Sequence, residues 1–372
     1  MIAPTPPMGW NSWNTFGGDI SEELVKETVQ AIIEHGFAEA GYRYVNLDDL
    51  WQAPERGPDD RLVPDPHKFP NGIKALADYV HSKGLKFGIY SCVGTHTCAR
   101  VPGSFAHEEM DAQTFADWGV DFLKHDYCYL PEGVSGPMLY RRMGQALRAT
   151  GRPILFSICN WGREEPWTWA ASTGAQMWRT GPDIVDTWES ICDMGFRQAG
   201  LEAYAGPDHW NDPDMMVVGM YGKGNAAVGQ VPTDTEYRTH FSLWCLMAAP
   251  LLMGCDVRNL NPAAREILLN REVIAVDQDP LGRQGYRVGN SWLVGEVWAK
   301  PLADGSVAVG LFNRHDTERQ LVGVAWESLG IHDRRPCVVR DLWAQQYVGE
   351  FRGSYSQYVE PHGCGLVRLH PA

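Results

Sequence analysis

Leu85-Lys86-Phe87-Gly88-Ile89-Tyr90, a helical stretch from Asp111 to Gly119, and Asp121-Phe122-Leu123-Lys124 follow one another as strand, helix and strand. Parallel neighbours need such a crossover, and it is usually a helix. The alternation extends in both directions. Upstream, Ser21 opens a helix with Val25, Val29, Ile32 and Ile33 on one face, and Tyr42-Arg43-Tyr44-Val45-Asn46-Leu47 is strand-like. Asn71 to Gly84 reads as a helix closed by glycine, the usual stop residue. Downstream, Ser135 and Pro137 open a helix with Leu139, Met143, Ala146 and Leu147 in phase, and Pro153-Ile154-Leu155-Phe156-Ser157-Ile158 is a buried type of strand. Gln176-Met177-Trp178-Arg179, His209-Trp210-Asn211-Asp212 and Leu251-Leu252-Met253-Gly254 continue the strands. Thr187–Gly200, Asp234–Ala249 and Pro262–Val276 continue the helices. With Met8-Gly9-Trp10-Asn11-Ser12-Trp13 as the first strand, eight units favour a closed (β/α)8 barrel over a doubly wound sheet.

The pattern changes after Gln278-Asp279-Pro280-Leu281-Gly282. From Tyr286 onward short apolar runs alternate with Gly, Asp and Asn: Trp292-Leu293-Val294, Val307-Ala308-Val309-Gly310-Leu311 and Cys337-Val338-Val339. That reads as antiparallel strands in a small β-sandwich. The expected division is a barrel over residues 1–282 and a sandwich over 283–372, docked without a flexible linker.

The 372 residues carry 32 Lys and Arg against 46 Asp and Glu, a formal charge of −14. Nucleic acid is a poor partner for that balance, because affinity for it comes from cations that neutralise phosphates. No run approaches the length of a membrane span. The first residues show neither a basic start nor an apolar core, so a cytoplasmic location is expected, or secretion if a leader was removed. Nine scattered cysteines do not form a disulfide framework.

Chemistry in such a barrel sits where the strands end. Those ends carry Trp13; Asp48 and Asp49; Tyr90 and Cys92; Lys124 and Asp126; Cys159 and Asn160; Arg179 and Asp183; Asp212 and Asp214. His125 and His209 are the only histidines nearby, and neither His-x3-His nor Cys-x2-Cys occurs, so neither a metal nor a cofactor is expected. Carboxylates between aromatic walls suit sugars, whose ring faces stack on aromatics and whose hydroxyls need fixed polar partners. Two carboxylates can divide the work of glycoside cleavage.

The motifs Pro7-Met8-Gly9-Trp10-Asn11-Ser12-Trp13, Leu47-Asp48-Asp49-Leu50-Trp51, Lys124-His125-Asp126-Tyr127-Cys128, Trp178-Arg179-Thr180 and Trp210-Asn211-Asp212-Pro213-Asp214-Met215 resemble glycoside hydrolase family 27. Asp277-Gln278-Asp279-Pro280-Leu281-Gly282 extends the likeness to the end of the barrel. That family holds α-galactosidases and α-N-acetylgalactosaminidases. The resemblance implies a retaining exo-glycosidase acting on α-galactoside oligosaccharides or glycoconjugates. It makes Asp126 the nucleophile and Asp183 the acid/base. Asp48, Asp49 and Lys124 fall where the family binds the 3-, 4- and 6-hydroxyls. Arg179, beside the acid/base, and Asp214 fall among the residues that bind the sugar, and Trp13 and Tyr90 among the walls of the same pocket. Cys98 and Cys128 match a disulfide pair.

Lys124, two residues from Asp126 on one strand face, is expected to hold that carboxyl down. Asp183 is expected to be raised, as an acid must be. Asn160 stands where many α-galactosidases have a glutamate against the 2-hydroxyl, which keeps α-N-acetylgalactosaminidase as the alternative. Asp48, shorter than glutamate, leaves room for a hydroxymethyl group and argues against a β-L-arabinopyranosidase. Gly222-Lys223-Gly224-Asn225-Ala226-Ala227 mimics a dinucleotide fingerprint, but no helix opens there, and it reads as a loop.

Overall fold

The computed structural model describes residues 1–289 and 295–372. Eight parallel strands make one sheet: β1 (Met8–Asn11), β2 (Tyr44–Asn46), β3 (Lys86–Cys92), β4 (Phe122–Asp126), β5 (Leu155–Cys159), β6 (Met177–Arg179), β7 (Trp210–Asp212) and β8 (Leu251–Met253). Their spatial order follows the chain, and β8 lies beside β1. The last seam closes just beyond β7. There Met216 bridges Met253 in parallel, its N–H donating to the Leu252 carbonyl at 2.7 Å and its carbonyl accepting from the Gly254 N–H at 2.9 Å. A doubly wound sheet would leave two open edges. This ring is a (β/α)8 barrel.

One end of the barrel is sealed. Tyr44, Phe122, Leu155, Met177 and Trp210 each begin a strand, and with Leu252 they form one buried apolar cluster. Water, and any substrate, is left with the opposite end, where β4 finishes on Asp126, β6 on Arg179 and β7 on Asp212.

Helices start where a side chain caps them. Ser21 accepts from the Leu24 N–H and Thr187 from the Ser190 N–H, and Thr233 and Glu236 form a reciprocal capping box. Several boundaries differ from expectation; the helix expected over Thr187–Gly200, for one, ends at Phe196. The helix expected from Asp111 begins at Glu108, where Glu108, Glu109 and Asp111 face the positive end of the helix. The helix expected over Pro262–Val276 is two, Pro262–Leu268 and Arg271–Asp277. The Asn270 side chain accepts from the Glu272 and Val273 N–H groups and so begins a second helix. The first strand stops at Asn11, and Trp13–Phe16 turns helical. Residues 222–227 form no helix, in keeping with a loop.

Beyond the barrel come β9 (Tyr286–Arg287), β10 (Glu296–Pro301), β11 (Val307–Phe312), β12 (Gln320–Ala325), β13 (Cys337–Asp341), β14 (Gln346–Phe351), β15 (Ser354–Val359) and β16 (Cys364–Pro371). Six of them form an antiparallel sheet, and β12 pairs with β15 in a second. Val322, Val324, Tyr355 and Val359 of the small sheet pack on Val309, Leu311, Val339 and Val367 of the large one. The strand expected at Trp292-Leu293-Val294 lies outside the described residues. Trp298, Phe312 and Leu366 of the large sheet belong to the same apolar cluster as Leu246, at the end of the barrel helix Asp234–Leu246. Barrel and sandwich therefore share an interior. Among the described residues no helix is long and apolar enough to cross a membrane.

Gly9 sets the spacing of β1 and β2. A Cβ there would collide with the carbonyl oxygen of Tyr44, a backbone atom that cannot turn aside. Gly9→Ala is expected to cost about 1–3 kcal/mol of stability, read as a lower midpoint in thermal unfolding. An unchanged midpoint would mean that the seam gives way easily.

Candidate active site

Asp48, just beyond β2, has three polar partners for its carboxylate. Its Oδ2 accepts from Asn11 Nδ2 at 2.8 Å and from Lys124 Nζ at 2.7 Å, and its Oδ1 accepts from the Asp49 N–H at 2.9 Å. The Ser12 hydroxyl in turn accepts from the Asp48 N–H at 3.0 Å. Lys124 is buried, which works against its charge. Asp48, with Asp126 and Asp214 adding, keeps the ammonium well above its ordinary range. The neighbouring Asp49 accepts from the Leu50 and Ala99 N–H groups. Burial still pushes its carboxyl up.

Asp126 ends β4. Its Oδ2 accepts from the Tyr90 hydroxyl at 2.8 Å and its Oδ1 from the Tyr127 N–H at 2.8 Å. Burial pushes this carboxyl up to about 6, against the pull of Lys124, and Asp183 adds repulsion. That reverses the expectation that Lys124 would hold it down. Lys124 gives its short contact to Asp48, and desolvation of Asp126 wins. The loop beyond Asp126 is tied by the Cys98–Cys128 disulfide to the loop after β3.

Arg179 ends β6 and is 2% exposed. Its Nη2 lies 3.0 Å from Asp183 Oδ1 and 3.1 Å from Asp214 Oδ2, and it donates to the Pro182 carbonyl at 2.6 Å. Asp183 differs from the other acids, with 66% of its side chain exposed at the pocket mouth. What burial it has pushes its carboxyl up, but Arg179 and Lys124 outweigh that and hold it below the usual range. This too reverses the expectation. The sequence places Arg179 near Asp183, but not the direct contact that stabilises the anion. Asp214 is buried, and its carboxyl rises to about 7, with Asp183 and Asp212 repelling the charge that Arg179 favours.

These side chains line one hollow. It contains Trp13, Asp48, Asp49, Tyr90, Lys124, Asp126, Arg179, Asp183 and Asp214, together with Asn14, Cys98, Trp161 and Met215. Asn14, Trp161 and Met215 were missed as site residues. Trp161 was legible only as part of the loop after β5, and its left-handed backbone, φ 57°, is a local feature that composition does not reveal. Asn160 is fully buried and is not among the residues that line the hollow. Its amide donates to the carbonyl of Arg163 in its own loop, so it braces the Trp161 loop. Among the described residues, the three possible metal-ligating side chains that cluster are Cys98, Asp126 and Cys128, of which the cysteines are bonded to each other.

A sealed barrel whose open end gathers acids, two cations and aromatics around one hollow has the make-up of a glycoside hydrolase. Residues 5–279 match the family described as alpha galactosidase A, and residues 295–369 match the alpha galactosidase C-terminal beta sandwich domain. The chain belongs to this family, that of the α-galactosidase-type glycoside hydrolases. It is 47% identical to an alpha-galactosidase of Cyamopsis tetragonoloba over 371 residues, all of this chain and 87% of that one. It matches alpha-galactosidase I from Mortierella vinacea with a TM-score of 0.91 at 34% identity, over 100% of this chain and 98% of that one. It matches an alpha-galactosidase from Saccharomyces cerevisiae, solved with raffinose, with a TM-score of 0.88 at 30% identity, over 99% and 98% of the two chains.

Breaking the Lys124–Asp48 pair from one side should be costly. Lys124→Met strands a buried carboxylate and is expected to cost about 3–5 kcal/mol. Adding Asp48→Asn should recover much of that in a double-mutant cycle read by denaturant unfolding. Additive losses would show that the pair is not coupled.

Proposed function

We propose that the enzyme removes terminal α-D-galactosyl residues from oligosaccharides or glycoconjugates by two successive displacements. Asp126 attacks the anomeric carbon while Asp183 gives its proton to the departing glycosidic oxygen, leaving the galactose as an ester of Asp126. Asp183 then takes a proton from water, whose oxygen attacks the same carbon and frees Asp126. Two inversions give net retention.

The observation that carries this reading is that Asp126 and Asp183 line one hollow in different settings. Asp126 is deep, and its two oxygens are steered by Tyr90 and the Tyr127 N–H. Asp183 stands at the exposed mouth, where a leaving group meets water. Asp48, with both oxygens already fixed, offers a rigid acceptor surface. A site built to bond one hydroxyl direction rejects the epimer that leaves its polar groups unpaired.

The productive state needs charge on Asp126 and a proton on Asp183. With Asp126 at about 6 and Asp183 below its ordinary value, the two carry a single shared proton only on the acid side of about pH 6. Above that the last proton leaves, and the acid is lost. kcat/KM for raffinose is therefore expected to fall above about pH 6, by about tenfold per pH unit. A profile flat to pH 8 would contradict this assignment.

Asp126→Ala should lower turnover of a nitrophenyl α-galactoside by at least roughly 10^4-fold while keeping a cooperative unfolding transition. Near-normal turnover would remove Asp126 from the chemistry. The wild-type enzyme should hydrolyse the nitrophenyl α-galactoside faster than the corresponding N-acetyl-α-galactosaminide. The reverse order would favour the α-N-acetylgalactosaminidase reading.

A further inference from the structure

Two loops meet beside Asp126. The loop after β3 carries Cys98, which lines the hollow and is exposed, and the loop after β4 carries Cys128, bonded to it. The two sulfurs and a carboxylate oxygen of Asp126 all lie within 4.8 Å of one another. The bridge is not all that holds them there. The Cys128 N–H donates to Cys92 Sγ at 3.1 Å, and that thiol donates to the Cys128 carbonyl at 3.2 Å. The loops also touch through their backbones. The Thr95 N–H donates to the Tyr129 carbonyl at 3.2 Å, and a Cβ at Gly94 would collide with the Cys128 carbonyl oxygen. Cys98 itself stands between two anchored neighbours. The N–H of the buried Thr97 donates to the Val101 carbonyl at 2.8 Å, and that of Ala99 donates to Asp49 Oδ2 at 3.0 Å.

We infer that reduction of the Cys98–Cys128 bridge turns this corner of the active site into a zinc site, with Cys98, Cys128 and Asp126 as its three protein ligands. The hydrogen bonds around each cysteine keep the opened pair together. A dithiol supplies two electrons and two protons: the S–S bond breaks, two S–H bonds form, and the dithiol closes to its own disulfide. Zinc then displaces the two thiol protons to solvent, because thiolates are its ligands. A tetrahedral zinc, with Zn–S about 2.3 Å and Zn–O about 2.1 Å, spaces its ligand atoms by about 3.5–3.8 Å. The sulfurs need to part by about 2 Å from bonding distance, and the oxygen to approach by about 1 Å. Two soft thiolates with one carboxylate suit zinc better than magnesium or calcium, which take oxygen ligands, and leave a fourth position for water. While the bridge is intact neither sulfur is a thiolate, so the site belongs to the reduced protein alone. The site does not depend on Asp126 being the nucleophile. Its effect on turnover does, since bound zinc takes that carboxylate out of the reaction.

The test is cobalt(II) and zinc binding to the whole enzyme, reduced with dithiothreitol and freed of it without air, with two additional thiols confirmed by titration. The unreduced enzyme holds the same other cysteines and is the control. Reduced enzyme should bind one cobalt per chain with thiolate-to-cobalt charge-transfer absorption in the near ultraviolet, and zinc should displace it. The unreduced enzyme should show neither. After the same reduction Asp126→Ala should bind zinc at least about tenfold more weakly, and Cys98→Ser should lose most of the charge-transfer absorption. Turnover of a nitrophenyl α-galactoside by reduced wild type should fall in step with bound zinc and return with a chelator. Identical metal binding by the two redox forms, or none by either, would overturn the proposal. So would an Asp126→Ala affinity equal to wild type, or loss of cooperative unfolding on reduction, which would show that the loops depend on the bridge. If Asp126→Ala binds weakly yet zinc-loaded wild type keeps its turnover, the site stands and the nucleophile reading of Asp126 fails.

Discussion

Two cations hold open a hollow into which five carboxylates project. Lys124 and Arg179 face Asp48, Asp49, Asp126, Asp183 and Asp214 within one cavity. Buried carboxylates repel one another and lose hydration, so an unmatched set cannot all stay ionised. The site answers this by assigning its cations unequally. Lys124 goes to Asp48, and Arg179 is divided between Asp183 and Asp214. Asp126 receives neither and is braced by a phenol and a backbone N–H. It therefore sits near its titration range, whereas a fully paired carboxylate would be poorly nucleophilic as well as permanently ionised.

The barrel makes this concentration of charge tolerable. Its amino end is filled by aromatic and aliphatic side chains, so the cost of polar burial is confined to the carboxyl end. Each functional side chain except Asp183 is anchored on or immediately after a strand whose neighbours fix its register. The sandwich adds to that rigidity, since its large sheet continues the apolar interior through Trp298, Phe312 and Leu366.

Much of this was legible in the sequence, because period and punctuation report local geometry. Capped helices such as those opened by Ser21 and Thr233 appear at or beside their expected starts. What the sequence hid was non-local or dependent on rotamers. Asn270 could have continued its helix but instead caps the next one, and the choice is made by where its side chain turns. Asn160 occupies a rim position in the sequence pattern but turns inward to its own loop. Lys124, two residues from Asp126, suggests a lowered carboxyl there, and the role of acid suggests a raised one at Asp183; the structure has the reverse of both. Lys124 proved to be committed to Asp48, 76 residues away, while Arg179 is shared with Asp214, which the sequence sets beside neither partner.

The proposed reaction is two displacements at one carbon, with Asp126 on one side and water or the leaving oxygen on the other. Proton NMR of the sugar released from a nitrophenyl α-galactoside, recorded before mutarotation, tests this directly. The α anomer of galactose should appear first, with the β anomer growing in later. A β anomer at the earliest times would mean direct attack by water, and Asp126 would not be the nucleophile.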